Sequence, residues 1–333
     1  MNVQTFEQPL SVEAMTDVME GIMTGQRSEE DIRTFLTALA RRGETAEEIA
    51  AAVQVLRAHA VRVPLSRSYE LCDTCGTGGD GRGTINVSTL AALVAAAAGV
   101  RVAKHGNRAA SSRCGSADLL EALGVNLQAS PAQVARCIEE IGFGFCFAPA
   151  FHPAMKVVAP VRKALGIRTI FNLIGPLANP APLTFQLVGV SEARLLRPMA
   201  EALMRLGVRH GMVVHGEDGL DEVTTTGPSS FLEVHRGKVI EGRLDPVELG
   251  VPRATLEDLR GGDAAHNAAA AREVLSGTPS AARDLIAVNA GCAIYIADQA
   301  QTIQEGIRKA SGVLTTGRAL KLFEQIKERS HAR

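Results

Sequence analysis

Apolar residues recur at helical spacing through the first 65 positions of the chain. Ser28 stands where a helix cap belongs, with Asp31 three residues on, and Ile32, Phe35, Leu36, Leu39 and Ala40 then repeat until Gly43. Thr45-Ala-Glu-Glu48 has the form of a capping box, and Ile49, Val53 and Leu56 continue one apolar stripe. Helices this short are marginal alone, so they must pack on each other or on a partner chain. Pro64 and the polar residues after it mark a boundary. The pattern predicts a small all-helical N-terminal domain over residues 1–66.

From residue 71 the texture changes to short apolar strands, at 100–103, 185–190 and 212–215, alternating with helical runs at 90–98 and at 116–124, the latter read as capped at Ser116 and stopped by Gly124. Such alternation predicts an α/β domain, a central, mostly parallel sheet flanked by helices, over 71–149 and 183–333. The proline-rich stretch 148–182 lacks a strand pattern, and part of 150–182 is expected to join the helical domain. Residues 264–333 read as helical and alanine-rich.

Composition narrows the function. The chain has 333 residues, 46% of them apolar, and a formal net charge of −1 with no block of lysine or arginine. That argues against nucleic acid or an anionic membrane as partner. No apolar run reaches the roughly 18 residues that span a bilayer. The N-terminus has no basic segment followed by an apolar one, so a cytoplasmic protein is expected. Of six cysteines only Cys72 and Cys75 form a C-x-x-C. With no second pair, they read as small buried residues rather than a zinc site or a disulfide.

Chemistry gathers in four stretches. The first runs from Asp73 to Asn86 and holds five glycines, with Gly76-Thr77-Gly78-Gly79-Asp80 at its centre and Ser88 and Thr89 just beyond. Glycines let a backbone approach a ligand, and successive N–H groups at a helix start form an anion-binding concavity. The second, Lys104 to Ser112, is read as a loop after a strand, where open α/β sheets place ligands. Lys104 offers a point charge, Asn107 a donor and an acceptor, and Ser116 a helix N-terminus; His105 suits either a packed loop histidine or a substrate contact.

The third stretch, Leu220 to Gly227, sets Asp221 beside Glu222, a pair suited to Mg²⁺. It also looks like the PRPP motif of the common phosphoribosyltransferase fold. That motif needs a strand's apolar run before its acids, and here Gly216-Glu-Asp-Gly219 precedes them. The fourth joins Pro149, His152 and Met155 to Arg162 and to the run from Arg168 to Pro180. Prolines with an arginine behind apolar groups suit a flat aromatic acid whose carboxylate pairs with Arg162.

GTGGDG at 76–81, N-x-S-T at 86–89, KHGNR at 104–108, VR with RTIFNLIGPLANP across 161–180 and LDEVTTTG at 220–227, in this order, resemble the anthranilate phosphoribosyltransferase family over essentially the whole chain. The resemblance implies that Gly76, Gly79, Asp80, Thr84, Asn86, Val87, Ser88, Thr89, Lys104, His105, Gly106, Asn107 and Ser116 bind PRPP. It implies that Gly76, Asn107 and Arg162 face anthranilate, with Pro149, His152 and Met155 lining its approach. Ser88, Asp221 and Glu222 would serve two Mg²⁺ ions per monomer. No residue is assigned as acid or base, and a homodimer through the helical domain is implied. Cys75, Cys114, Ile85 and Met155 depart from residues common in the family. A pyrimidine nucleoside phosphorylase would carry Lys-His-Ser before its Thr-Gly-Gly, where this chain has Asp73-Thr-Cys-Gly76. A nucleic-acid-binding relative would show a basic face and lack the acidic pair.

Overall fold

A computed structural model describes residues 6–109 and 112–332. The chain opens with three helices, α1 (Val12–Met23), α2 (Glu29–Arg42) and α3 (Ala46–Ala58). Ser28 and Thr45 cap the second and third as their sequences predict, Ser28 Oγ accepting from Asp31 N and Thr45 forming the full capping box with Glu48. Glu48 is fully buried, and its carboxylate also accepts from Arg42 and from Leu10 N, at 2.6 and 2.8 Å.

The chain then runs through β1 (Leu71–Gly76), α4 (Val87–Ala97), β2 (Val102–Gly106), α5 (Ser116–Ala122), α6 (Pro131–Ile141), β3 (Phe143–Phe147) and α7 (Ala148–Phe151). Next come α8 (Ala159–Leu165), α9 (Ile170–Leu177), β4 (Leu183–Gly189), α10 (Leu196–Arg205) and β5 (His210–Gly216). An antiparallel pair, β6 (Ser229–His235) and β7 (Lys238–Leu244), precedes α11 (Ala264–Leu275), α12 (Ala281–Ile296), α13 (Ile303–Thr315) and α14 (Arg318–His331). The fold is thus a helical N-terminal domain with an α/β domain.

One sheet orders its strands β3-β2-β1-β4-β5-β6-β7, and the first five are parallel. Side chains alternate between two apolar layers, as a strand's period of two requires. Leu187, Met212 and Val214 join α4, α12, α13 and α14, whereas Val188 and Val213 face α10 and the helical domain. That second layer includes Val161 of α8 and Phe171 and Ile174 of α9, so the proline-rich stretch packs with the N-terminal helices. The outer strand β7 is largely exposed and carries Lys238, Glu241 and Arg243, charges that discourage pairing with another edge. Among the described residues, no helix is long and apolar enough to cross a membrane.

Three local expectations change. Asp73–Gly76, read as the start of the glycine loop, is strand β1, and Asp73 is fully buried. The strand expected at 100–103 occupies Val102–Gly106, so Lys104, His105 and Gly106 lie in the sheet rather than after it. Ser116 opens α5 but does not cap it; the Asp118 carboxylate accepts from Gly115 N, at 2.9 Å. The sheet chain-order reverses between β1 and β4, and the strand ends there are where an open α/β sheet presents a ligand crevice.

Candidate active site

The crevice is floored by two facing glycines, Gly76 at the end of β1 and Gly189 at the end of β4. A Cβ on Gly76 would fall 2.3 Å from Asp221 Oδ2, and one on Gly189 only 1.6 Å from the Asp221 carbonyl oxygen. Their bare backbones therefore let the acidic stretch lie directly across the strand ends. Asp221 Oδ2 accepts from Gly78 N at 2.7 Å, and Glu222 Oε1 accepts from Ser88 N at 3.1 Å, in the first turn of α4. The glycine loop, the helix start and the acidic pair, 134 to 143 positions apart in sequence, are thus one structure.

Its N–H groups are less free than the sequence implied. Thr77 N donates to Gly189 O at 2.9 Å, and Gly78 N to Asp221, so the loop's inner donors already hold protein oxygens. Gly78, Gly79, Gly81 and Gly83 all adopt positive φ, the conformation that glycine takes without strain.

The carboxylates repel one another. Burial and the nearby Asp80 push the Asp221 carboxyl up to about 6, against the Gly78 N–H that favours its charge. Burial and Asp221 raise Glu222 well above the ordinary carboxylate range, although Lys104 and Ser88 N oppose the rise. Asp80 is raised too, chiefly by burial. An oxygen-rich cluster that resists its own charge fits a hard divalent cation, which would neutralise it.

Most of the other expected residues brace this core. Asn86 donates to Cys114 O at 3.0 Å and accepts from Asn267 Nδ2 at 2.8 Å, while Thr84 bridges to Arg260. Val87 is buried in the apolar layer and its N–H donates to Ile85 O; Thr89 is buried as well. Lys104 is almost fully buried, and its ammonium donates to Thr74 O at 2.6 Å. Gly106 leaves room for Ser116, whose hydroxyl donates to Asn107 O at 3.2 Å. Ser111, within the same run, lies outside the described residues.

On the other side, His105 and His152 meet edge to face, centroids 5.0 Å apart. Burial drives their pKa values down to about 3 and about 4, so both rings are neutral at pH 7. Arg162 of α8 rests over the Phe171 ring at 5.5 Å. Burial lowers its pKa, and it forms no ion pair among the described residues. Met155 is half-buried against the layer that holds the N-terminal helices, and Pro149 is exposed.

Asp73 and Asn179 were not singled out from the sequence as site residues. Asp73 accepts from Asn179 Nδ2 at 2.8 Å and from His105 N at 3.3 Å, and Asn179 also donates to Ala103 O at 2.7 Å. Burial pushes Asp73 up to about 6, with Lys104 as the main opposing charge. The available signal was its place three residues before the GTGGDG run.

Two family models set the class of protein: "Glycosyl transferase family, a/b domain" matches residues 68–320, and "Glycosyl transferase family, helical bundle domain" matches residues 5–60. The anthranilate phosphoribosyltransferase of Rubrobacter xylanophilus is 53% identical over 96% of this chain and 93% of its own length. The Thermus thermophilus enzyme of that name superposes with a TM-score of 0.94 at 48% identity, covering 99% of both chains. The Saccharomyces cerevisiae enzyme, solved in complex with PRPP and Mg, gives 0.88 at 31% identity over 96% of this chain and 93% of its own. The chain belongs to the anthranilate phosphoribosyltransferase family.

Proposed function

We propose that this protein transfers the 5-phosphoribosyl group of PRPP to the amine of anthranilate, giving N-(5-phosphoribosyl)anthranilate and pyrophosphate in tryptophan biosynthesis. The observation that carries the reading is the acidic pair bonded to the glycine loop and to the α4 N-terminus, in a chain of this family. Yeast relatives solved with PRPP and Mg, and with 4-fluoroanthranilate, support both substrates.

The amine displaces pyrophosphate at C1 with inversion, through a transition state of oxocarbenium character. The glycine loop, Asp80, Thr84, Asn86–Thr89, Lys104–Asn107 and Ser116 hold PRPP. Ser88, Asp221 and Glu222 hold two Mg²⁺ ions, whose charge offsets that developing on the leaving pyrophosphate. The oxygen donor set and the raised carboxyl pKa values fit that role. Gly76, Asn107 and Arg162 orient anthranilate beside Pro149, His152 and Met155. Arg162 meets the carboxylate, and the neutral histidines add no competing charge. An aromatic amine is already neutral at pH 7, so in-line positioning carries the rate and no base is assigned.

Residues 1–66 with part of 150–182 form the helical domain, and 71–149 with 183–333 the catalytic one. The chain pairs through the helical domain as a homodimer. Exposed Val12 borders a hollow of about 330 Å³ lined also by Glu47, Ala50, Ala51, Gln54 and Arg205, a surface open to a second copy; light scattering on the purified protein tests the pairing. The activity is tested with anthranilate's own fluorescence. A signal that falls only with both PRPP and Mg²⁺ present is expected, and a flat trace from folded protein refutes the assignment.

A further inference from the structure

Gly78 is held from both sides. Its N–H donates to Asp221 Oδ2 at 2.7 Å, and its carbonyl accepts from Arg168 Nη1 at 2.6 Å. Arg168 lies between α8 and α9, 90 positions from the loop it grips. It sits directly on the loop: a Cβ on Gly79 would come within 2.3 Å of Arg168 Nη1. Gly79 is therefore a glycine for two reasons, its φ of +78° and the guanidinium above it.

The other terminal nitrogen, Arg168 Nη2, is buried and has no hydrogen-bond partner among the described residues. The nearby acids do not complete it. Arg168 is close enough to lower the carboxyl pKa values of Asp221 and Glu192, but Asp221 is bonded to Gly78 N and Glu192 to Arg194. An orphaned buried donor in a native protein calls for an explanation, and a ligand that completes it is a direct one. Guanidinium is a planar fork suited to two phosphate oxygens at once.

We infer that Arg168 is a diphosphate-binding residue: Nη1 fixes the glycine loop, and Nη2 donates to the pyrophosphate part of PRPP. This rests on the phosphoribosyl-transfer reading above. The diphosphate is the right anion, since Arg168 bonds Gly78 of the glycine loop, lies against Gly79 and acts on the Asp221 carboxyl. The Asp221 and Glu222 carboxylates, bonded to Gly78 N and Ser88 N, crowd this end of the crevice. An anion that arrives with divalent cations suits them, and a lone carboxylate does not. Negative charge grows on pyrophosphate as the C1–O bond breaks, so the contact strengthens toward the transition state.

The test compares wild type with Arg168→Lys, which keeps a charge and one bond to Gly78 O, and Arg168→Gln, which keeps a neutral donor. Kinetics with each substrate varied are combined with calorimetric titration of magnesium pyrophosphate and a melting curve. Both variants are expected to melt as wild type and to lose about tenfold or more in kcat/KM for PRPP and in pyrophosphate affinity, with anthranilate KM unchanged. Wild-type pyrophosphate affinity in either folded variant overturns the inference, as does a defect confined to anthranilate KM. If wild type fails to turn over PRPP and anthranilate, the functional reading falls instead, and the pyrophosphate titration still reports whether Arg168 holds that anion.

Discussion

At the start of β5, His210 stands between two carboxylates, Nε2 2.7 Å from Glu233 and Nδ1 3.3 Å from Asp298. Tyr295 adds its hydroxyl to Glu233 at 2.9 Å, and His235 stacks on His210 with centroids 4.3 Å apart. Beyond the other end of the same strand lie Asp221 and Glu222. The histidine cluster is the denser of the two, and the ligating atoms of His210, Glu233 and His235 lie within 4.8 Å of one another. Its needs are met internally, however. The two rings are within 12° of parallel, so their lone pairs run side by side rather than toward a common point, and hydrogen bonds from His210 and Tyr295 hold Glu233 below its ordinary pKa. At the acidic pair, burial and like charge drive the carboxyl pKa values up. Crowding of titratable groups does not mark a site; unmet electrostatic demand does.

The sharpest way to break this contrast is to neutralise each cluster. Asp221→Asn with Glu222→Gln should cut kcat by about 100-fold or more and blunt its magnesium dependence, whereas Glu233→Gln should leave kcat within about twofold. Equal losses in steady-state assays would erase the distinction. Magnesium should also raise the melting temperature of wild type and of Glu233→Gln, by a stabilisation of about 2.7 kcal/mol at 100 times Kd, and leave the double variant unmoved. Glu233→Gln should lower urea stability by about 1–3 kcal/mol, since it disturbs a buried, satisfied network.

Arg162→Ala carries the comparison to the aromatic side. It should raise anthranilate KM about tenfold and leave PRPP KM nearly unchanged, in kinetics with each substrate varied. A defect on the PRPP side would move Arg162 to the other half of the crevice.

The last test concerns Asp73. Its native pKa of about 6 lies above the ordinary 3.8, so the folded state holds a proton that the unfolded chain has lost. Its contribution is therefore full below about pH 4 and is lost as pH rises through 6, at most about 1.4 kcal/mol per pH unit. Asp73→Asn should flatten the fall in urea stability over that window. An unchanged slope would mean that the Asp73 proton does not differ between the two states.

What the sequence made legible was what is local. Ser28 and Thr45 cap their helices because a cap is written within four residues. The order of the motifs carried the family. The strand bearing Lys104 and His105 was misplaced because a buried lysine and histidine break the apolar pattern, and only Thr74 O and Asp73 explain why the sheet accepts them. The β6–β7 pair went unread since its outer strand carries little apolar patterning. Within the site, residue identities were readable and partners were not. That Gly78 would lie between Asp221 and Arg168 depends on chain paths 143 and 90 positions long, which no local spacing encodes.

The facing glycines at 76 and 189 bear on how freely this site can change. Neither has a side chain to offer a substrate, yet any side chain at either would meet Asp221. In a saturation library selected for activity, both positions should appear as intolerant as the acidic pair itself. On the proposed assignment, efforts to retune the pocket for other acceptors start at Pro149, His152 and Met155, and have almost no room along the floor.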